Sequence, residues 1–261
     1  MPAPHAHTAD RLFDLRTSVQ TVPELEDDLI PASIADAYAV QDLLTAKFNQ
    51  PIAAWKVGAT ATAIQERLGV SEPFSGPVHA NAMWSSPAVI EAARFTHTLL
   101  ESEFAFRVSE RMAPRADAGY MRDDVIAAVD ALVPAIEIIA PCFTPAIGGA
   151  VTSRIADLGV SAGLVHGTPH ADWRDLDLAG HSVSLRVGDD VVGAGTGALV
   201  LGDPVASLVW AVNHLGTRGI TLEPGQLIST GTVTGLYELA PGATAVADFG
   251  ALGTVSVTFT A

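Results

Sequence analysis

The stretch Leu99-Leu100-Glu101-Ser102-Glu103-Phe104-Ala105-Phe106 sets two carboxylates two residues apart in an apolar run. The run reads as a β-strand, in which residues i and i+2 share a face. Glu101 and Glu103 then project together, while Leu100, Phe104, Phe106 and Val108 fill the opposite face. At about 4 Å and an effective dielectric near 20, two such charges repel by roughly 4 kcal/mol. A cation, a shared proton or exposure on an edge strand would relieve them. A third carboxylate, Glu137, stands among Ile136, Ile138 and Ile139 in what reads as a buried strand. A Glu is almost never fully buried without a partner. An arginine or an outward edge position would serve. The other reading joins it to Glu101 and Glu103 as a cluster of three acidic oxygen ligands. Carboxylates without His or Cys suit a hard divalent ion, Mg²⁺ or Mn²⁺.

Only two lysines occur, Lys47 and Lys56, and Lys56 lies in the apolar segment Trp55-Lys56-Val57. A buried lysine must find an anion or lose its proton. It is read either as a snorkelling surface residue or as a charge that meets a substrate carboxylate or moves a proton. His97 shares parity with the two Glu and is read as an ordinary histidine at the strand's mouth. His5 and His7 are read as part of a loose polar tail over Met1 to Thr8 rather than as metal ligands. Cys142 is read as packing near the end of the Glu137 strand. Gly193, Gly195, Gly197 and Gly202 lack the spacing of a dinucleotide loop, and there is no P-loop.

The elements that must position these groups follow from pattern and punctuation. Arg11 to Leu15 read as helix, and Ser33 caps a second helix that runs to about Phe48. Ile52 to Ala59 read as strand, and Thr60 or Thr62 caps a short helix ended by Gly69. Ser71 to Pro87 read as loop-rich. Strands are expected near Val89 to Ala92 and Thr98 to Val108. A helix is expected over Asp123 to Leu132, after which Pro134 opens the strand of Glu137. Ser161 to Val165 read as strand, Ser182 to Gly193 as a hairpin and Val205 to Leu215 as helix. Leu227 to Thr230, Ala245 to Phe249 and Thr254 to Phe259 complete the strands. Helices early and strands later indicate α+β architecture. Residues 1–68 form an N-terminal helical segment with the first core strand. Residues 69–261 form a β-rich catalytic core, the two making one structural domain.

Composition narrows the function. Hydrophobic residues make up 49% of the 261 and charged residues 16%, against about 25% charged in soluble domains. That shortage of polar material points to apolar surface covered between subunits. A net charge of −15 argues against nucleic acid. No run reaches the roughly 18 apolar residues of a membrane span, and no secretory signal is visible. One cysteine fits a reducing, cytoplasmic setting.

From the helix Ala37-Tyr38-Ala39-Val40-Gln41 onward, six motifs in fixed order carry a resemblance: Trp55 to Thr60 (WKVGAT); Glu101 to Phe106 (ESEFAF); Pro134 to Ile139 (PAIEII); Ala156-Asp157 with Ser161; Gly195 to Pro204 (GTGALVLGDP); and Gly225 to Gly231 (GQLISTG). Together they resemble the 2-keto-4-pentenoate hydratases of the fumarylacetoacetate hydrolase superfamily, to which the 4-oxalocrotonate decarboxylases are related. The resemblance implies a core of mixed, layered β-sheets behind an N-terminal helical segment. It implies Mg²⁺ or Mn²⁺ held by Glu101, Glu103 and Glu137, with Lys56 as catalytic and substrate-binding residue and Ser161 near the substrate or metal. It implies a homo-oligomer, a pentamer or decamer. The implied reaction is a lyase's: water adds to a 2-hydroxy-2,4-dienoate to give a 4-hydroxy-2-oxo acid, in catabolism of aromatic or related compounds. A 2-oxo diacid decarboxylase or an acylpyruvate hydrolase on the same site, and a non-catalytic partner subunit, are the alternatives. The chain leaves the family pattern at Ala140-Pro141-Cys142, at Leu158 and near His79-Ala80-Asn81, where no Asp occurs. These departures predict an altered shell on the substrate side.

Overall fold

A computed structural model describes residues 4–116, 119–145 and 148–261. Two helices come first, α1 (Pro4–Ser18) and α2 (Ile34–Phe48), then β1 (Ile52–Gly58), α3 (Thr62–Leu68), β2 (Phe74–His79), β3 (Met83–Ser85), β4 (Ala88–Glu91) and β5 (Leu99–Val108). The middle of the chain gives α4 (Arg122–Ala127), β6 (Val129–Ile139), α5 (Val151–Ala156) and β7 (Ser161–His166). The hairpin β8 (Ser182–Val187) and β9 (Asp190–Thr196) leads to α6 (Pro204–Thr217), followed by β10 (Leu227–Thr232), β11 (Tyr237–Glu238), β12 (Thr244–Asp248) and β13 (Thr254–Thr260).

One sheet has eight strands in the order β2-β1-β10-β5-β6-β7-β3, with β11 pairing β5 beyond the end of β10. The second has five, β4-β13-β12-β8-β9. The main core lies between them. Leu100, Phe104, Phe106, Ile136 and Ile138 on the large sheet pack in one cluster with Val183, Leu185, Ala245, Ala247, Val255, Val257 and Phe259 of the small one. Each Val, Leu, Ile or Phe side chain fully buried there contributes about 1.5–3 kcal/mol. The opposite face of the large sheet carries a small apolar plug, Ala54, Val78, Ala105, Val133, Ala135, Leu164 and Leu227. Alternation puts Ala105 and Ala135 on the same face as Glu103 and Glu137. The sheet curls around this face. A Cβ on Gly76 of β2 would lie 2.1 Å from the Leu158 carbonyl, in the turn before β7, so the two ends of the sheet nearly meet.

Several expected boundaries shift. Helix α1 begins at Pro4, so residues 4–8 are not a tail; the His5 ring meets Asp36 of α2 at 3.0 Å. Residues 1–3 lie outside the described residues. Neither Thr60 nor Thr62 caps α3; its N-cap is Ala61, with no side-chain bond. The segment read as loop between Ser71 and Pro87 holds β2 and β3. The helix expected over Asp123 to Leu132 stops at Ala127, and β6 runs from Val129 straight through Pro134. The Pro134 carbonyl accepts from Gly167 N, just past the end of β7. The N–H that proline lacks would point where the neighbouring strand has run out, so it breaks no ladder bond. The Gly-rich stretch after Thr144 contains α5. Gly197–Thr217 has the length and mean hydropathy, 1.3, of a short membrane span. It contains Asp203 and Pro204, and Val205, Leu208, Ala211, Val212 and Leu215 of its helix sit in the core.

Candidate functional site

Strand β5 is central, flanked by β10 and β6, so the edge-strand reading of its two carboxylates fails. Glu101 is directly opposite Glu137 in the β5/β6 register, and Glu103 is two residues along on the same face. One oxygen from each of the three lies within 4.8 Å of the others. Glu103 and Glu137 are fully buried, and Glu101 is half-buried at the surface of a cavity.

Strand β1 brings Lys56 to them. In its ladder Lys56 is level with Ser229 of β10 and Gly76 of β2. Its side chain is 2% exposed and its Nζ is 3.6 Å from Glu137 Oε1. The snorkelling reading is thus excluded. Burial opposes the Lys56 charge, yet Glu137, Glu101 and Glu103 hold its pKa above the ordinary value. Phe74 lies beside it, with Nζ 5.5 Å from the ring centre.

Local backbone fixes Glu103. Its Oε2 accepts from Ser229 Oγ at 2.5 Å and from Gly231 N at 3.0 Å. Its Oε1 and both oxygens of Glu137 are buried and have no hydrogen-bond donor. Burial first, then Glu137, pushes the Glu101 carboxyl up to about 7. Burial, then Glu137 and Glu101, raises Glu103 well above the usual range. Burial also raises Glu137, against the pull of Lys56 and Ser161. One ammonium cannot neutralise three carboxylates, and buried oxygens without donors are costly. A hard dication would satisfy both deficits, so the donor set fits such an ion. Ser161, at the start of β7, is buried beside Glu137.

His97 stands apart from the cluster, its Nε2 2.9 Å from the Phe143 carbonyl. Cys142 is buried at the Asp157 carboxylate, which accepts from its backbone N at 2.9 Å. Asp157 in turn pairs with Arg16 of α1, whose Nη1 donates to the Ser161 carbonyl at 2.9 Å. Sequence reasoning gave no part to Ser229, Gly231 or Arg16. The first two lie in the GQLISTG motif, which was the one available signal; Arg16 left none.

The cavity at Glu101 has a volume of about 480 Å³ and is lined by Val57 to Ala61, Ile64, Arg67, Leu199, Thr232, Gly235 and Leu236. None of the positions where the chain departs from the family pattern lines it. His79, Asn81 and Leu158 face a smaller cavity of about 170 Å³ with Ser161, Arg16 and Arg94, while Ala140 to Cys142 bond to Val160, Thr96 and Asp157. The altered shell is therefore on the α1 side of Ser161 and not in the wall of the cavity at Glu101.

No protein-family profile matches the chain. It is 28% identical to the 4-oxalocrotonate decarboxylase of Pseudomonas putida, across 96% of this chain and 95% of that protein. It is 25% identical to the 2-keto-4-pentenoate hydratase of Paraburkholderia xenovorans, across 99% and 96%. Among solved structures, a 4-oxalocrotonate decarboxylase from Pseudomonas putida, complexed with magnesium and adipate, superimposes with a TM-score of 0.90 at 26% identity over 98% of this chain and 97% of that one. A fumarylpyruvate hydrolase from Pseudomonas aeruginosa, in complex with Mn²⁺ and pyruvate, shares the fold at a TM-score of 0.60 and 16% identity, over 81% of this chain and 91% of that one. The resemblance carried by the motifs extends over nearly the whole chain, and the fold is the one that these decarboxylase and hydrolase structures share.

Proposed function

We propose that this chain is a metal-dependent hydratase that adds water to a 2-hydroxy-2,4-dienoate and gives a 4-hydroxy-2-oxo acid. The observation that carries this reading is the trio of carboxylates in which Glu103 and Glu137 are buried, short of donors and faced by Lys56, while Glu101 opens onto an apolar-walled cavity. Relatives named as hydratases align over nearly the full chain, which makes the chain an enzyme of the hydro-lyase type in aromatic catabolism. The cofactor is a divalent cation, with Glu101, Glu103 and Glu137 as the residues that would hold Mg²⁺ or Mn²⁺. When bound, such an ion supplies Lewis acidity at the substrate's 2-oxygen, where the dienolate charge develops.

The protein's own groups do the rest. Lys56 carries the only ammonium at the cluster among the described residues. It either neutralises the substrate carboxylate or shuttles the proton that goes to the far end of the diene. Water then adds at the γ carbon of the resulting unsaturated ketone. A positioned acid or base of this kind gives about 10²–10⁴-fold. Ser161, beside Glu137, offers a hydroxyl to substrate or metal. The backbone N–H of Gly231 and the hydroxyl of Ser229 hold Glu103 in its rotamer, so the cluster is set before substrate arrives. We read the chain as a cytoplasmic homo-oligomer, a pentamer or decamer, which accords with its low charged fraction. Residues 1–68 and 69–261 act as one domain in this reading, since β1 lies inside the large sheet between β2 and β10.

The test follows the dienoate ultraviolet band. Its loss should require protein and Mg²⁺ and stop with a chelator, and Glu103→Gln should abolish it. An unchanged rate in Glu103→Gln would remove the metal assignment. A second reading, decarboxylation of a 2-oxo diacid, has a specific support in the 0.90 superposition on a decarboxylase. Release of CO₂ from 4-oxalocrotonate, with no hydration of dienoates, would favour it.

A further inference from the structure

The cavity at Glu101 extends well past the acidic cluster, and at about 480 Å³ it falls in the range of pockets for ligands larger than a five-carbon acid. Its outer wall is apolar. Ile64, Leu199 and Leu236 stand there, with Leu199 50% and Leu236 40% exposed at the mouth. In the same wall, from the last turn of α3, stands Arg67, the one cation lining this cavity among the described residues. Most cations of this acidic chain are paired: Arg11, Arg16, Arg107, Arg111, Arg115, Arg122, Arg218 and both lysines each meet a carboxylate. Arg67 has no acidic partner among the described residues. Its neighbour is another guanidinium. Burial and then the Arg67 charge lower the pKa of Arg154, against the pull of Glu24. A guanidinium takes a carboxylate through two parallel hydrogen bonds, and Arg67 is the one cation in this wall to offer them among the described residues.

We propose that Arg67 receives the far carboxylate of a dicarboxylic 2-hydroxydienoate, whose hydrocarbon middle lies along Ile64, Leu199 and Leu236 and whose near end lies at the acidic cluster. This rests on the cavity being the substrate pocket of the hydratase reading. It names the substrate class as diacids, and Arg67 as the residue that reads the tail.

Two six-carbon probes test it by calorimetry on the Mg²⁺-loaded protein, 2-oxoadipate with a terminal carboxylate and 2-oxohexanoate without. The wild type should bind the diacid roughly tenfold more tightly, the usual size of a partly exposed charge-assisted contact. Arg67→Met should bring the two affinities together, and Arg67→Lys should keep part of the difference. Arg186→Met, an exposed arginine on β8, should leave the ratio as in wild type. Equal affinities in the wild type, or a ratio that survives Arg67→Met, overturn the proposal. Binding needs no turnover, so the two readings fail separately. Hydration of dienoates without a diacid preference removes Arg67 and leaves the hydratase. A diacid preference lost in Arg67→Met, on a protein that hydrates nothing, keeps Arg67 and removes the hydratase.

Discussion

At the scale of single residues, the cluster is governed by which oxygens already have donors. Oε2 of Glu103 is tied by Ser229 and Gly231, which leaves Oε1 free to face a cation. Removing a group that orients a ligand typically costs 10–100-fold in metal affinity. Ser229→Ala should therefore weaken Mg²⁺ binding by that factor, read by calorimetry, with the fold unchanged; equal affinity would show that the bond does not orient the carboxylate. Lys56 acts in the other direction. It competes with the dication for Glu137, 3.6 Å away. Lys56→Met should bind Mg²⁺ at least as tightly as wild type while turnover falls by about 10²–10⁴. A loss of both together would mean that Lys56 only supports the fold. The pairing of Glu101 with Glu103 was legible because a strand repeats every two residues. That Glu137 stands opposite Glu101, and that Ser229 reaches Glu103, depends on strand register, which no local pattern encodes.

At the scale of elements, the site depends on where strands stop and bend. Between Ser229 and Thr232 the β10/β5 register shifts, and Gly231 occupies the irregularity with φ +114. A Cβ there would come 2.5 Å from Thr60 Oγ1, so both backbone angle and space require glycine. Gly231→Ala should cost about 2–3 kcal/mol of stability, seen as a lower Tm, and should weaken Mg²⁺ binding by tilting the N–H away from Glu103. A variant with wild-type Tm and affinity would refute that account. Most strands were legible from alternation, and α2 from its Ser33 cap and αL Asn49 stop. The failures share a cause. Pro134 was read as a strand opener, and the turn residues Pro73, Gly76 and Pro77 hid β2. In both places a sheet neighbour ends or a backbone passes closely, and proline or glycine then signals tertiary fit rather than a turn. Arg16 shows the same limit. Its bonds to Asp157 and Ser161 join residues 141 and 145 positions apart, so nothing near it in the sequence foretells them.

At the scale of the whole molecule, the N-terminal helices are fastened to the β-rich core by a polar seam that responds to pH. Helix α6 packs His214 between Trp210, stacked at 4.5 Å, and Tyr38 of α2 at 5.0 Å. The charged and titratable groups around it are Arg218, which lies 4.0 Å over the Tyr38 ring and pairs with Asp42 of α2, and Glu72, which accepts from Trp210 Nε1. Burial first, then the Arg218 charge, lowers the His214 pKa from 6.5 to about 4. Between those values the unfolded chain carries a proton on this ring that the folded chain does not. Stability is therefore fully present above pH 6.5 and falls as the pH drops toward 4, by on the order of 1–2 kcal/mol for a ring still partly in contact with solvent. Nε2 of His214 is buried with no hydrogen-bond partner, so a phenyl ring can replace it without breaking a bond. His214→Phe should keep the stacking, match or exceed the wild-type Tm at pH 7, and flatten the decline in Tm between pH 6.5 and 4.5. If both proteins lose stability in parallel over that range, the acid sensitivity lies elsewhere. If His214→Phe is destabilised at pH 7, the imidazole has a bonding role at the seam that its surroundings do not reveal.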